Sequence, residues 1–313
     1  MNNSSARLLL TLAAIGWGSA TTATKYALEC FGPLTLLLVE LTAAAAILWS
    51  ILAVRGIPRL ERKGRLAMLG VLEPTLAYAG LAFGLMYTTA TKASLLGASE
   101  ACFVVALAAI FLNERMSARA LTGLLLTLVG VLLIEQVFTV SSDLNVGDFL
   151  VLGGDLAAAV YVILAVKVAA TAQSLPMTAY QFGFGALFAL PFAVWRWLSG
   201  QEPFPANVDL SMWLVATLIG GVGFVGSYLL YNYVINFVPA GLAGVTLNLI
   251  PMFGVLTAVV FLDEHLTVWY VIGGAVVISG IMLFPAQQPA GQSTDSISLG
   301  ARQSPVKPGR KLR

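Results

Sequence analysis

The chain repeats itself at a spacing of 150 residues, through apolar segments that are odd in number in each copy, and this leaves few ways for it to fold. Gly70 recurs as Gly220, Tyr78 as Tyr228, Ala93 as Ala243, Phe103 as Phe253, Glu114 as Glu264, Gly123 as Gly273 and Gly130 as Gly280. The most distinctive pair of segments is FLNERMS (Phe111 to Ser117) and FLDEHLT (Phe261 to Thr267). Ten apolar segments can be drawn, near 7–27, 33–54, 66–88, 92–112, 118–138, 148–168, 174–197, 209–235, 239–262 and 267–285. A helix needs roughly 20 apolar residues to cross the hydrocarbon core, so these lengths suit spans. Five spans per copy is an odd number, and the second copy therefore enters the membrane upside down. The expected fold is all-α, with ten transmembrane helices in two inverted five-helix repeats. Residues 1–138 form the first, 139–147 an outer linker, 148–285 the second and 286–313 a tail.

Composition supports a membrane reading. The chain is 58% hydrophobic and 10% charged, where a soluble domain carries about 25% charged residues. The apolar runs are continuous, which excludes a membrane barrel built of ~10-residue alternating segments. With the N-terminus inside, Arg7, Arg55, Arg59, Arg62, Lys63, Arg65, Arg115, Arg119 and Lys167 all fall on the inner side. Only Lys25, Lys92 and Arg196 fall outside or near that interface, an asymmetry that orients membrane proteins. Both termini are then cytoplasmic in a multi-pass protein of the cell (inner) membrane. The tail, rich in Gln, Ser, Pro and Gly, reads as disordered. Cys30 and Cys102 share no ligand spacing and read as small buried hydrophobes. Inverted repeats of this kind are characteristic of secondary transporters, which bind substrate near the bilayer midplane between the repeats.

The run GWGSATTATKYAL (Gly16 to Leu28) resembles the opening helix of EamA-type transporters of the drug/metabolite transporter superfamily. Thr91 to Ser117, Ala240 to Thr267 and the opening of the second copy, Gly147 to Lys167, resemble further stretches of that family. The resemblance covers residues 7 to 285 and implies a ten-helix carrier whose fifth and tenth helices pack at the periphery. It also implies export of amino acids, other metabolites or drugs. One departure stands out. The mid-helix proline of the ninth span, Pro251, has Ala101 as its twin, preceded by Glu100. The expected result is a lost helix break and a gained intramembrane carboxylate.

Ionisable groups inside a membrane are costly and point to function. Glu40, Glu100 and Asp155 each lie seven or eight residues from the outer interface, about 10–12 Å deep at 1.5 Å per residue. Three acids at one depth suit a shared cavity, and they are the proton-coupling candidates, Glu100 first. Glu135 lies near the outer end of its span, and Glu73, beside Pro74, reads as part of an inner gate. Substrate-binding candidates are Trp17, Tyr78, Lys92, Glu100, Tyr228, Asn232, Asn248 and Pro251. Trp17 stands between two glycines as a flat wall, and Tyr78 and Tyr228 are repeat twins. Asn232 follows Tyr228 by one turn, while Asn248 and Pro251 mark a broken helix that frees the Leu247 carbonyl. Lys25 and Lys92 offer charge to an anionic group, or snorkel to headgroups.

Two function classes compete. The first is a secondary carrier exporting small organic metabolites, amino acids or related amphipathic solutes, by alternating access with or without proton coupling. No Walker motif is present, so ATP does not drive it directly. The second is an intramembrane enzyme acting on a lipid-linked substrate. It has weak support, since the one histidine, His265, lies in a short loop with Asp263 and Glu264. A channel would show rings of like residues from a symmetric oligomer, whereas here the symmetry is internal. The expected partners are a small-molecule substrate and the lipid bilayer, with no nucleic acid, no cofactor and no metal. Monomer and homodimer both stay open. The deep positions carry acids and no arginine, which disfavours anionic sugars.

Overall fold

The computed structural model describes residues 2–56, 63–84, 87–88, 96–114, 116–134, 136, 144–261 and 267–285. Every regular element among the described residues is helical. In chain order the helices are α1 (Asn3–Ala27), α2 (Pro33–Arg55), α3 (Gly64–Gly84), α4 (Ser99–Phe111) and α5 (Ala118–Ile134). The second half supplies α6 (Val146–Ala169), α7 (Ser174–Leu198), α8 (Leu210–Val234), α9 (Ala240–Phe261) and α10 (Val268–Leu283). Six of them, α2, α3 and α6 to α9, are long and apolar enough to cross a membrane, and α4, α5 and α10 are shorter apolar helices.

The helix starts follow from local chemistry. Pro33 opens α2, where its missing N–H costs nothing. Asn145 and Asp148 form a reciprocal capping box at α6. The Ser117 hydroxyl accepts the Ala120 N–H at 3.1 Å to start α5. Two helices are capped from afar by carboxylates, as the positive end of a helix favours. Glu114 accepts the N–H groups of Ala240 (2.6 Å) and Gly241 (3.1 Å) at the start of α9. Burial lifts its carboxyl above the usual range, against those two donors, which favour the ionised form. Glu202 does the same for α2. It accepts the Leu34 and Thr35 N–H groups, the Thr35 hydroxyl (2.9 Å) and the Arg196 guanidinium (3.3 Å).

That clasp sets up a first prediction. Glu202→Ala leaves a nearly buried arginine and two helix-end donors without their acceptor, and is expected to cost about 3 kcal/mol. Denaturant titration of the detergent-solubilised protein measures it. An unchanged midpoint would show the clasp to be ornamental.

Glycines set the closest approaches. A Cβ on Gly123 of α5 would lie 2.8 Å from the Gly280 carbonyl of α10, and one on Gly280 2.6 Å from that of Gly123. Gly130 and Gly273 stand in the same relation, at 2.7 and 2.6 Å. As the numbers rise on one helix they fall on the other, so the pair is antiparallel. Each glycine also touches the 150-residue counterpart of its companion. A second pair of contacts is exchanged in the same way. Gly70 of α3 faces the backbone carbonyl of Gln181 on α7, and its twin Gly220 of α8 faces that of Glu40 on α2. Glu40 and Gln181 therefore occupy equivalent seats.

Three long helices are interrupted at their middles. In α3 a π-turn runs over Val71–Leu76, with Glu73 extended (φ −144°, ψ 126°) because Pro74 disfavours the helical region before it. A π-turn over Ile219–Phe224 interrupts α8. The break in α9 falls at Asn248 and Leu249, ahead of Pro251. Against expectation, the absence of a proline at Ala101 does not remove the break from the fourth span. A turn persists at Ala98, 150 residues before Asn248, and α4 restarts at Ser99. Backbone position in the repeat, more than proline, holds that feature.

Candidate functional site

The extended backbone at Glu73 frees its carbonyl, and the neighbouring helices answer it. Gln181 of α7 donates its side-chain N–H to the Glu73 carbonyl at 3.0 Å. Tyr228 of α8 donates its hydroxyl to the Glu73 carboxylate at 2.7 Å. Asn232, one turn further on α8, donates to Thr178 and to Gln181, each at 3.0 Å. Tyr161 of α6 completes the set by donating to the Asn232 side-chain oxygen at 2.7 Å. Four helices are joined by a polar chain in which every bond is inside the bundle, where a satisfied network is rigid and specifying.

Aromatic rings pack around it, three of the four contacts edge-on and that of Tyr78 with Phe224 tilted. The Trp17 ring of α1 lies 4.8 Å from that of Tyr228 and 5.4 Å from that of Tyr231. Phe182 meets Tyr228 at 5.0 Å, and Tyr78 lies 5.5 Å from Phe224. Such a wall suits an apolar or cationic group, since the ring faces attract positive charge.

The carboxylates converge beside this wall. Glu100 sits in the first turn of α4 with Glu73 and Asp155 as its electrostatic neighbours. Asp155 of α6 accepts a hydrogen bond from the Ser99 hydroxyl at 3.1 Å. Glu73, Tyr78, Glu100 and Asp155 are all half-buried. Next to Ser99 and Glu100, a Cβ on Gly97 would meet nothing within 4 Å, so the space there is open. Glu40 is buried on α2 and accepts the Thr24 hydroxyl of α1 at 2.9 Å. Among the described residues the ion pair is Arg196 with Glu202, remote from this cluster, and no basic side chain neutralises the interior acids. Among those residues too, no group of three His, Cys, Asp or Glu is arranged to hold a metal ion. A site of clustered acids beside aromatic rings can hold an ammonium group or exchange protons.

Most of the residues anticipated from sequence meet here: Trp17, Tyr78, Glu100, Asp155, Tyr228 and Asn232. Glu73, read from the sequence as part of an inner gate, also joins them, its backbone extended within the π-turn and its carboxylate bonded to Tyr228. Asn248 turns the other way and donates to Thr127 of α5 at 3.0 Å. Pro251 opens the second part of α9, and its carbonyl accepts the Tyr270 hydroxyl at 2.9 Å. Lys92, Glu135 and His265 lie outside the described residues, as does the side chain of Lys25. Sequence reasoning missed Tyr161, Gln181, Thr178, Ser99 and Tyr231. Of these, Gln181 alone carried a signal, an uncharged polar side chain amid an apolar run.

Known proteins resemble this chain over nearly its whole length. The model of the EamA-like transporter family matches residues 4–136 and again 145–284. An uncharacterized transporter of Archaeoglobus fulgidus is 29% identical over 91% of this chain and 99% of its own length. A probable terminal-alkyne amino-acid exporter of Streptantibioticus cattleyicolor is 26% identical over 99% of this chain and 100% of its own. A protein known from a crystal structure superposes with a TM-score of 0.75 at 18% identity, over 90% of this chain and 97% of that one. At that identity the likeness speaks for the fold alone.

Proposed function

The chain belongs to the EamA-like transporter family, and on that premise we propose that it is a secondary carrier exporting amino acids or related amphipathic solutes by alternating access. The family and the relatives above are transporters, so the intramembrane-enzyme reading finds no support in them. One observation carries the substrate reading. Glu73, Glu100 and Asp155 converge in the interior with aromatic walls and no basic partner among the described residues. An ammonium group answers that field, and the resemblance to a probable terminal-alkyne amino-acid exporter agrees with it.

In this reading Glu100, with Asp155 or Glu40, exchanges protons as the site faces the two sides in turn. Trp17, Tyr78 and Tyr228 wall the solute, and Asn232 keeps Tyr161 and Gln181 in place. Asn248 and Pro251 mark the broken helix, and Lys92 stands at the outer mouth. The exchanged contacts of Gly70 with Gln181 and Gly220 with Glu40 support two equivalent repeats, residues 1–138 and 148–285, and the Lys and Arg asymmetry supports their inverted placement in the inner membrane with both termini cytoplasmic. Alternating access then amounts to the two halves exchanging roles.

Purified protein in liposomes tests the reading. Amino acids and cationic dyes are loaded, and efflux is followed with and without an acid exterior. Efflux of amino acids, faster with the acid exterior, is the expected result. Transport of dyes alone would move the substrate class to amphipathic cations, and transport of nothing would overturn the reading.

A further inference from the structure

Buried polar groups in folded proteins are almost always hydrogen-bonded, and each exception calls for a reason. Four buried side-chain polar atoms among the described residues have no partner: Arg7 Nε, Trp17 Nε1, Ser227 Oγ and Tyr231 Oη. Three of the four lie in one seam, between α1 and α8. Ser227 and Tyr231 are four residues apart on the same face of α8. Trp17 packs edge-on against Tyr231, and its neighbour Gly16 leaves room for the Ser227 hydroxyl, which a Cβ there would meet at 2.2 Å.

The contrast with neighbouring residues is sharp. Three tyrosines are fully buried in this core. Tyr228 spends its hydroxyl on Glu73 and Tyr161 spends its own on Asn232, while Tyr231 spends its on nothing. Yet Tyr231 has Tyr161, Glu100 and Glu73 as its electrostatic neighbours, so its hydroxyl belongs to the same interior as the acids. The indole N–H can only donate. A ligand that satisfied this seam would have to bring acceptor oxygens to it, while its cationic end met Glu100 and Asp155.

We propose that Trp17, Ser227 and Tyr231 form the receptor for the carboxylate of the transported solute, so that the site reads both ends of a zwitterion. The proposal rests on the amino-acid reading above and refines it. An α-amino acid places its ammonium group toward the acids of α4 and α6 and its carboxylate in the α1–α8 seam. Its side chain lies along the aromatic wall. The donors are neutral, so they hold a carboxylate only while its charge is balanced by the ammonium group at the other end. A solute that is a simple anion would be refused, and an amine without a carboxylate would bind without using the seam.

Matched pairs of probes separate these roles: L-phenylalanine with phenethylamine, and L-leucine with 3-methylbutylamine. Each pair differs by the carboxylate alone. Tyr231→Phe and Ser227→Ala remove one hydroxyl each and leave the packing intact. Each variant is expected to raise the KM for both amino acids about tenfold, the worth of a hydrogen bond to a charged group, with the amines unchanged. Trp17→Phe, which also loses ring area, is expected to weaken all four probes but the amino acids more. Thermal melting of each variant is read alongside. Unchanged KM values for the amino acids, with a higher melting point from removal of an unsatisfied group, would overturn the proposal and leave the carrier reading standing. If wild-type protein moved neither amino acid, the reading beneath it would fall instead.

Discussion

Glu100→Gln is expected to yield a folded carrier that no longer answers to a pH gradient. The amide keeps the size and hydrogen-bonding reach of the carboxyl and removes its ability to bind and release a proton. Because Glu100 shares its surroundings with Glu73 and Asp155, a neutral amide of the same size adds no charge to that buried cluster, and the fold is expected to be kept. Loss of transport could then not be blamed on loss of structure. The magnitude is set by thermodynamics. One proton exchanged per solute sustains about a tenfold solute gradient per pH unit, since a tenfold ratio is about 1.4 kcal/mol. The wild type in liposomes is expected to approach that ratio when the exterior is one unit more acid, and the variant to stop at equal concentrations. A variant that still concentrated its solute would remove Glu100 from the coupling and pass the role to Asp155 or Glu40.

The other large effect belongs to packing. At Gly220 an added Cβ would lie 2.1 Å from the Glu40 carbonyl oxygen and 2.7 Å from its carbon. Both obstacles are backbone, which cannot rotate out of the way. Gly220→Ala gains about 1 kcal/mol of helix propensity, but overpacking costs about 1–3 kcal/mol and more where nothing can yield. The clash wins, and Gly220→Val is expected to leave little folded protein. Gly70→Val should do the same through the Gln181 carbonyl, 2.3 Å away. Gly226 lies on the same helix as Gly220 with nothing within 4 Å of its would-be Cβ. Gly226→Ala is therefore expected to be neutral or to stabilise by up to about 1 kcal/mol. Melting profiles of the four variants in one detergent decide the matter. A stable Gly220→Val protein would mean that α2 and α8 separate more easily than their contact suggests.

The spans were legible because a membrane simplifies the code: long apolar runs, short polar breaks and little else. Helices α2, α7 and α8 fall within a residue or two of the positions read from hydropathy, and the 150-residue periodicity marked Gly123, Gly130, Gly273 and Gly280 as counterparts, although not that they meet across the α5–α10 contact. The acids were legible too, since charge inside an apolar run announces itself. Their grouping was less so. Counting depth along a straight helix separated Glu73 from Glu100, and the π-turn at Val71–Leu76 undid that count, although the Glu-Pro dipeptide hinted at it. Tyr161, Thr178 and Tyr231 were invisible, because a tyrosine or threonine within a span looks the same whether it packs, binds lipid headgroups or lines a site. Only the approach of α1, α6, α7 and α8 distinguishes them. The break at Ala98 lacked the proline that would have advertised it.

The glycine contacts between α5 and α10 carry a mechanical meaning. Where two backbones touch at Gly123 with Gly280 and at Gly130 with Gly273, side chains on either flank close the notch. Val277 stands 2.6 Å from a Cβ on Gly130, and Thr127 2.7 Å from one on Gly280. Sliding one helix along the other would drive those side chains into a peptide backbone, while tilting about the crossing disturbs them least. On the alternating-access reading proposed above, the pair would serve as a fulcrum that favours rocking over translation, turning motion of the two halves into opposite displacements at the two ends of the bundle.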